Sequence, residues 1–182
     1  INLSGKIYMT FAKRIHVIPF DEAPKEKVCL FHILDPHDFK PWAMKWIAYH
    51  VTGSAYCVDE YPDRNFNEML GDAKTYDDYA DVIRAKEKAL EKIFKVPVIR
   101  RIQDPNSGNK TIRKAQKSQD GKTSTTIRKE MLARGFNFID GKDDIEAGHL
   151  KVREVLDYKV NDKGEITKQP RYFITENCQN SI

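Results

Sequence analysis

A buried strand that ends in an acid is the feature that most restricts what this chain can fold into. The run VCLFHIL, Val28 to Leu34, is apolar apart from His32, as in strands covered on both faces of a sheet, and Asp35 follows it directly. A second strand pattern, Val96 to Asp104, also ends in an aspartate followed by proline. Active sites of α/β sheets often lie at this carboxyl edge. An Asp-Pro pair also opens turns, so Asp35 alone does not establish a site.

The order of the predicted elements is that of a mixed α/β domain. Strands over 28–34, 42–50 and 54–61 form an antiparallel meander, and a helix over 76–94 begins at a T-x-x-D capping signal. After the fourth strand, 96–104, come a helix, the short strand FNFID, a second helix and the last strand PRYFITENC. This order predicts an RNase H-like fold, a mixed central β-sheet flanked by helices, in which the first and fourth strands are neighbours. The second helix is predicted to bury Ile145, Leu150, Val152, Val155 and Leu156.

Neighbouring strands would bring Asp35 and Asp104 together at one edge of the sheet. Two adjacent carboxylates repel each other and raise each other's pKa unless a cation lies between them. Mg²⁺ or Mn²⁺ is expected to bind between them, since hard divalent ions are coordinated by carboxylate oxygens, water and phosphate. Two such ions about 4 Å apart can activate water and stabilise the leaving oxygen in phosphodiester hydrolysis. The pair therefore predicts a metal site for phosphate chemistry.

Positive charge is concentrated after Asp104. The segment from Arg100 to Arg134 has ten Lys or Arg residues against three acids, and its centre, NSGNKTIRKAQKSQDGKTSTT, is rich in small polar residues. This composition predicts a mobile surface loop. It is either a solvated loop or a loop that binds DNA phosphates. The residues predicted to hold the DNA backbone are Lys110, Arg113, Lys114, Lys117 and Lys122.

Length and composition exclude several protein classes. A chain of 182 residues suits one domain with its own core, and no apolar run approaches the ~20 residues of a membrane span. The three cysteines, Cys29, Cys57 and Cys178, are odd in number and lack the spacing of a zinc site. They are predicted to be buried, reduced thiols. Because the chain begins at Ile1 and ends soon after a predicted strand, we expect residues 1–182 to be a single domain excised from a longer protein.

At these residues the sequence resembles the nuclease domain of bacteriophage large terminase subunits, the DNA-packaging motors. The matching stretches are GKIYMTFAKRIHVI, LDPHDFKPWAMKWIAYHVTGSAYCVDEYP, RIQDPNSGNK, DDIEAGHLKVREVL and PRYFITENCQNSI, in the order of the family. The resemblance implies a metal-dependent endonuclease that cuts concatemeric viral double-stranded DNA in the host cytoplasm. It also implies the portal and the small terminase subunit as partners. No P-loop motif is present, so the ATPase domain of the family is expected to be absent from this chain.

The resemblance places the first two metal-binding aspartates of the family at Asp35 and Asp104. The family has a third acid on a helix after the last strand, which is expected to lie beyond the end of this chain. Weaker candidates within the chain are Asp143, Asp144 and Glu176, although helix capping also explains the first two. Glu60 is predicted to be an exposed acid of an edge strand, and His37 and Asp38 are candidates for support of the site.

Two alternatives to this nuclease remain open. The domain could be a non-catalytic DNA-binding or docking module of the packaging motor, in which the acids only open turns and cap helices. It could also be another RNase H-like phosphotransferase, such as a relative of the resolvases or transposases. Trp42, Trp46, Tyr49 and Tyr56 are predicted to be core or sheet-face residues and not platforms for base stacking.

Overall fold

The computed structural model describes residues 10–37, 40–63, 74–113 and 124–182. The predicted meander, long helix and later strand and helix units are all found, with boundaries within about three residues of those expected. In chain order the elements are α1 Lys13–His16, β1 Val17–Ile18, β2 Val28–Asp35, β3 Ala43–His50, β4 Ala55–Tyr61, α2 Tyr76–Phe94, β5 Val98–Gln103, α3 Pro105–Gly108, β6 Thr111–Arg113, β7 Ser124–Thr126, α4 Ile127–Ala133, β8 Phe138–Asp140, α5 Ile145–Leu156, β9 Lys159–Val160, β10 Ile166–Lys168 and β11 Tyr172–Thr175.

Within the described ranges, the main sheet has seven strands in the order β1-β11-β4-β3-β2-β5-β8. Strand β3 runs antiparallel to both of its neighbours, whereas β2, β5 and β8 pair in parallel, as do β4, β11 and β1. The predicted α/β fold with a mixed central sheet is therefore confirmed. Strands β2 and β5 are neighbours in this sheet, as expected for the first and fourth strands of an RNase H-like fold.

The larger part of the core lies between the sheet and α2. Thr75 and Asp78 form the predicted capping box at the start of α2, since Asp78 N donates to Thr75 Oγ1 at 3.1 Å and Thr75 N donates to Asp78 Oδ2 at 2.8 Å. Alternate residues of β2, from Val28 to Leu34, point to this helix and are buried. The predicted core positions Trp42 and Trp46 are also buried, and the Trp42 ring stacks on Tyr79.

A buried polar cluster joins α2 to the central strands. His32 of β2 is fully buried between the rings of Trp46 and Phe138, and its Nδ1 donates to Glu87 of α2 at 3.2 Å. Arg101 of β5, the register partner of His32, donates through Nε to the same carboxylate at 2.9 Å. One carboxylate from the helix therefore holds both strands, and an unpaired charge at this depth would be costly.

The opposite face of the sheet is less completely covered. A small cluster of Ile47, Cys57, Ile174 and Cys178 is buried there, and α5 lies over part of it. Two sequence expectations are wrong on this side: Cys29 is exposed, and in α5 both Ile145 and Leu150 are more than 60 % exposed. Leu150 lies on the side of α5 opposite the stripe of Ile145, Val152 and Leu156, and nothing in the described residues covers the first turns of that stripe.

The first testable consequence concerns the stability of the domain in mild acid. Burial lowers the pKa of His32 below its ordinary value of 6.5, despite the opposing attraction of Glu87. As the pH falls through 6.5, the unfolded chain binds a proton at His32 that the folded chain does not. The folded state should therefore lose up to about 1.4 kcal/mol per pH unit below that point. His32→Gln should flatten this part of the profile, whatever its effect at neutral pH.

Urea unfolding at several pH values between about 7 and 5.5 measures the effect. His149→Gln changes an exposed histidine of α5 and is the matched control for the substitution itself. An identical slope in His32→Gln and the wild type would show that His32 is not responsible for the acid sensitivity.

Candidate active site

Asp35 and Asp104 lie side by side at the carboxyl edge of the central parallel pair. In the register of β2 and β5, Leu34 lies opposite Gln103, and the backbone N–H of Asp104 donates to Leu34 O at 3.0 Å. Neighbouring strands are about 4.8 Å apart, so the two aspartates that follow this pair are held at about the same separation along the edge. The predicted convergence of the two strand ends is thus found, and the catalytic role of the two residues stays a prediction.

Both aspartates point to the side of the sheet opposite α2. Side chains alternate along a strand, and Leu34 and Gln103 are buried on the α2 side. Asp35 and Asp104 each come one position later and therefore share the other face. Asp35 is open to solvent and Asp104 is half-buried, so a ligand can reach this edge.

The electrostatics of Asp35 reflect both its surroundings and its neighbour. Although Asp35 is exposed as a residue, its carboxyl is partly desolvated, which raises its pKa, and the negative charge of Asp104 raises the pKa further. His37 lies close enough to oppose this rise in the pKa. A carboxylate pair with this property favours a bound cation, because a positive ion removes the repulsion between the two charges.

The carboxylate of Asp104 is oriented by the short helix that follows it. Asp104 is the N-cap of α3, and its Oδ2 accepts a hydrogen bond from Ser107 N at 2.7 Å. This contact fixes the side chain and leaves Oδ1 for another ligand. A Cβ at Gly108 would lie 2.3 Å from Cδ of the buried Gln103, so this turn of α3 packs directly against the strand that carries Asp104.

The side chains at this edge are suitable ligands for a hard divalent ion, but there are few of them. Asp35 and Asp104 offer carboxylate oxygens on one face, which Mg²⁺ and Mn²⁺ prefer, and water and substrate phosphate commonly complete such a shell. Within residues 10–37, 40–63, 74–113 and 124–182, no group of three or more Asp, Glu, His or Cys side chains could hold a metal ion. The pair therefore fits an ion bound largely through water and phosphate.

The weaker acidic candidates do not join the pair. Asp144 caps α5 by accepting from Ala147 N at 2.9 Å, and Asp143 accepts from Asn106 Nδ2 at 2.7 Å. Glu176 follows β11, which β4 and β3 separate from β2, so it lies about 14 Å from Asp35 along the edge. Asp38 lies outside the described residues.

The expectation for Glu60 is wrong. Glu60 is 3 % exposed, because β11 covers β4 and the chain after β11 folds back over the carboxylate. Its two oxygens accept hydrogen bonds from Asn180 N and Ser181 Oγ, each at 2.6 Å. Glu60 therefore anchors the C-terminal turn.

Comparison with solved structures identifies this architecture. The chain superposes on the ADP complex of the large terminase from a thermophilic bacteriophage with a TM-score of 0.63, at 19 % identity over 96 % of this chain. Another crystal form of that large terminase gives a TM-score of 0.62 at 20 % identity over 97 % of the chain. The nuclease domain of the P22 large terminase gives 0.59 at 11 % identity, covering 97 % of this chain and 75 % of that domain.

The chain has the fold of a large terminase nuclease domain, which is RNase H-like. It spans 35 % of the length of the large terminase from the thermophilic phage. No protein-family model and no curated protein sequence matches it. None of the helices in the described ranges combines the length and apolar character that crossing a membrane requires.

A third acid at the same edge of this terminase-like fold was missed from the sequence. Asp140 ends β8 in register with Gln103, so it shares the α2 side of the sheet and points away from Asp35 and Asp104. Its carboxylate accepts from Gln103 Nε2 at 3.0 Å and pairs with Arg128 at 3.2 Å. Hydrogen bonds from Gln103 and then from Asn109, and to a smaller extent the charge of Arg128, lower the pKa of Asp140. Asp140 therefore holds β5 and α4 in place and is not a third ligand of the pair.

The basic segment begins beside the acidic edge. Lys110 follows α3, and β6 and β7 pair as an antiparallel hairpin. Lys110 comes directly before β6 and Arg113 is the last residue of β6, whereas Lys114, Lys117 and Lys122 lie outside the described residues. The hairpin was not predicted, since its two strands have only three residues each.

The packing of Gly108 leads to a second prediction. Gly108→Ala should force the buried Gln103 side chain to move and break its bond to Asp140, at a cost of about 1–2 kcal/mol in the free energy of unfolding. The same movement should shift Asp104 and weaken Mn²⁺ binding. Urea unfolding and calorimetric titration with Mn²⁺ measure the two effects.

Gly148→Ala is the matched control for this substitution. A Cβ at Gly148 meets no atom within 4 Å, so alanine there should stabilise α5 by about 0.5–1 kcal/mol and leave Mn²⁺ binding unchanged. If Gly108→Ala bound Mn²⁺ as tightly as the wild type, α3 would not be what positions Asp104.

Proposed function

We propose that this domain is a metal-dependent endonuclease that cuts viral double-stranded DNA during genome packaging. The observation that carries the proposal is the pair of aspartates, Asp35 and Asp104, at the carboxyl edge of the central parallel strands. The raised pKa of Asp35, caused by burial and by the charge of Asp104, supports a cation at this position. The likeness to large terminases, including a nuclease domain, supports the choice of DNA as substrate.

The two carboxylates would bind the ion, and their surroundings orient them. Ser107 N holds one oxygen of Asp104, and β2 holds Asp35 at the level of its neighbour, so the two ligands need little reorganisation. Mg²⁺ or Mn²⁺ bound there would neutralise phosphate charge and activate water for hydrolysis of the P–O bond, with two ions as the full complement. His37 lies beside Asp35 and adds positive charge at the mouth of the site when it is protonated.

The basic segment would hold the DNA backbone next to the acids. Hairpin β6–β7 follows α3, and Asp104 is the N-cap of α3, so the basic segment begins one short helix after the acidic edge. Contacts from Lys and Arg to phosphates carry no sequence information, which fits cutting with little sequence preference. Packaging by a complete motor, with an ATPase domain, a portal and a small subunit, stays an expectation of the resemblance, as does action in the host cytoplasm.

The main test removes the charge of each acid while keeping its shape. Asp35→Asn and Asp104→Asn should each abolish plasmid cleavage in Mn²⁺ or Mg²⁺, because losing a metal ligand costs several kcal/mol of transition-state stabilisation, or orders of magnitude in rate. We expect Mn²⁺ to raise the melting temperature of the wild type, and this shift should disappear in both variants. Asp162→Asn, at an exposed turn residue, is the matched control and should behave as the wild type.

The same assay distinguishes the alternatives. A non-catalytic DNA-binding or docking module would show no cleavage and no melting shift with Mn²⁺ in the wild type, while still binding DNA. A resolvase-like or transposase-like enzyme would cleave branched junctions or transposon ends in preference to linear duplex. Wild-type cleavage rates in either aspartate variant would contradict the assignment of the pair.

A separate prediction concerns the basic loop. Replacing Lys110, Arg113, Lys114 and Lys117 together by Gln should weaken DNA binding equally for all sequences. It should also lower the slope of log K against log salt by up to about 0.9 for each phosphate that is no longer neutralised. Mn²⁺ binding should be unchanged, because the acidic pair is intact. Fluorescence anisotropy with labelled duplexes over a salt series measures the slope.

The control for this variant is an equal loss of charge elsewhere on the surface. Lys88, Lys92, Lys159 and Lys163 are exposed on α2 and around the β9–β10 hairpin, and their replacement by Gln should leave the salt slope near that of the wild type. An unchanged slope in the loop variant would place the path of the DNA elsewhere on the domain.

A further inference from the structure

Two of the three cysteines meet on the face of the sheet opposite α2. Cys57 lies in β4, where it is the register partner of Ile174 in β11, and Cys178 lies in the turn that follows β11. Both side chains are fully buried, and both are free thiols. The proposed nuclease mechanism uses neither of them. The two residues are here called the thiol pair.

The turn after β11 brings the two sulfur atoms together. Cys178 N donates to Thr175 O at 2.9 Å, which closes the turn, and Thr175 Oγ1 donates to Cys57 O at 2.9 Å. Cys178 Sγ lies 3.6 Å from the same carbonyl oxygen, and the two thiols hydrogen-bond to each other. A disulfide requires two cysteines on neighbouring segments whose sulfurs can meet. Strand β4 and the turn after β11 already hold the pair in this proximity.

The two thiols differ in acidity. The hydrogen bond with Cys178 lowers the pKa of Cys57, against the effect of burial, and the charge of Lys45 acts in the same direction as the hydrogen bond. The same hydrogen bond, together with burial, raises the pKa of Cys178. The thiolate is the form of cysteine that attacks an electrophile. Cys57 is therefore the attacking thiol of the pair, and Cys178 keeps its proton.

Cys57 also has a route for its proton. Cys57 Sγ lies 3.9 Å from Ser181 Oγ, and Ser181 Oγ donates to Glu60 Oε2 at 2.6 Å. The serine oxygen can therefore accept the thiol proton while its own proton passes to the carboxylate. Lys45 lies opposite Glu60 in the register of β3 and β4 and supplies the counter-charge of this buried acid. The arrangement gives Cys57 a general base that is reached through one hydroxyl group.

A cavity adjoins the thiol pair. It has a volume of about 710 Å³, and its lining includes Ile47 and Ile174, which form one apolar cluster with the two cysteines. Ser181, which contacts Cys57, also lines the cavity. Hydrogen peroxide is nearly as small as water, and a cavity of this size has room for it. The buried position of the sulfurs favours such a small oxidant over a bulky one.

We propose that the thiol pair is an oxidation site, at which hydrogen peroxide converts Cys57 and Cys178 to a disulfide that ties the C-terminal turn covalently to β4. An external dithiol reverses the reaction by exchange and is itself oxidised to a disulfide. The bond joins residues 121 positions apart and so restricts mainly the unfolded chain. The site is independent of the proposed nuclease activity, since it involves neither Asp35 nor Asp104.

The oxidation takes two steps. The Cys57 thiolate attacks one oxygen of the peroxide, the O–O bond breaks, and the hydroxide that leaves takes up the proton that Cys57 gave to Glu60, forming water. Cys57 is then a sulfenic acid. The sulfur of Cys178 attacks the sulfenic sulfur, the S–O bond breaks, and the hydroxyl group leaves with the Cys178 proton as a second water. In total, two electrons pass from the sulfurs to the peroxide.

Peptide mapping of the wild-type domain tests the proposal. The folded protein is exposed to hydrogen peroxide with a chelator present, the remaining thiols are alkylated in urea, and the tryptic peptides are identified by mass spectrometry. The peptides of Cys57 and Cys178 should be found joined, and the exposed Cys29 should stay outside the bond. The oxidised form should melt on the order of 10 °C above the reduced form, and dithiothreitol should reverse this shift.

Serine variants identify the attacking thiol, since serine keeps a hydrogen-bonding group at each position. In Cys178→Ser, peroxide should leave a sulfenic acid at Cys57 that reacts with dimedone, whereas in Cys57→Ser the thiol of Cys178 should not react. Ser181→Ala should slow formation of the disulfide severalfold, because it removes the route of the proton, and should not change the oxidation of Cys29. Ser124→Ala, at an exposed serine of β7, is the matched control.

The proposal is wrong if peroxide oxidises Cys29 and leaves Cys57 and Cys178 as thiols in the folded protein. Joined peptides that form only in urea would also overturn it, since the fold would then not hold the pair. Dimedone labelling of Cys178 in Cys57→Ser, without labelling of Cys57 in Cys178→Ser, would overturn the assignment of the attacking thiol. Because the mapping uses the wild-type protein, its outcome does not depend on the folding of any variant.

Discussion

The parallel pairing of β2 with β5 is the interaction on which the candidate site depends. It sets Leu34 opposite Gln103, and the two residues that follow are the aspartates that carry the proposed chemistry. A parallel pair needs a crossover, which passes through β3, β4 and α2, and Glu87 of α2 then binds His32 and Arg101 on the two paired strands. The same cluster that holds the helix on the sheet therefore also fixes the register of the site.

That pairing brings two negative charges together, and among the described residues His37 only partly offsets the resulting rise in the pKa of Asp35. The backbone ladder and the hydrogen bond from Ser107 N hold the two carboxylates in place against their repulsion. The repulsion appears in the raised pKa of Asp35, to which burial contributes first and the charge of Asp104 second. Functional sites commonly retain such unfavourable local arrangements, which a ligand then relieves. The rest of the domain supplies the stability that allows the arrangement to persist.

Sequence reasoning succeeded where the signal is local. The acid-ended strands, the capping box at Thr75 and the order of elements all follow from patterns within a few residues, and from these the neighbour relation of β2 and β5 could be inferred. It failed where burial depends on distant segments. Glu60 is buried by residues near 180, and Asp140 ends a strand of three residues whose place beside β5 no periodicity reveals. For α5, the stripe was visible in the sequence but its incomplete covering was not.

The crossover has a consequence for the order in which the domain assembles. Strands β2, β3 and β4 meet their neighbours through local connections, whereas β5 pairs with β2 across the intervening β3, β4 and α2, so we expect the meander to form before β5 joins it. The early meander contains Asp35 but not its charged neighbour. The electrostatic conflict at the edge therefore arises only when the last central strand docks, so a cation would stabilise the finished sheet and leave the earlier steps of folding unaffected.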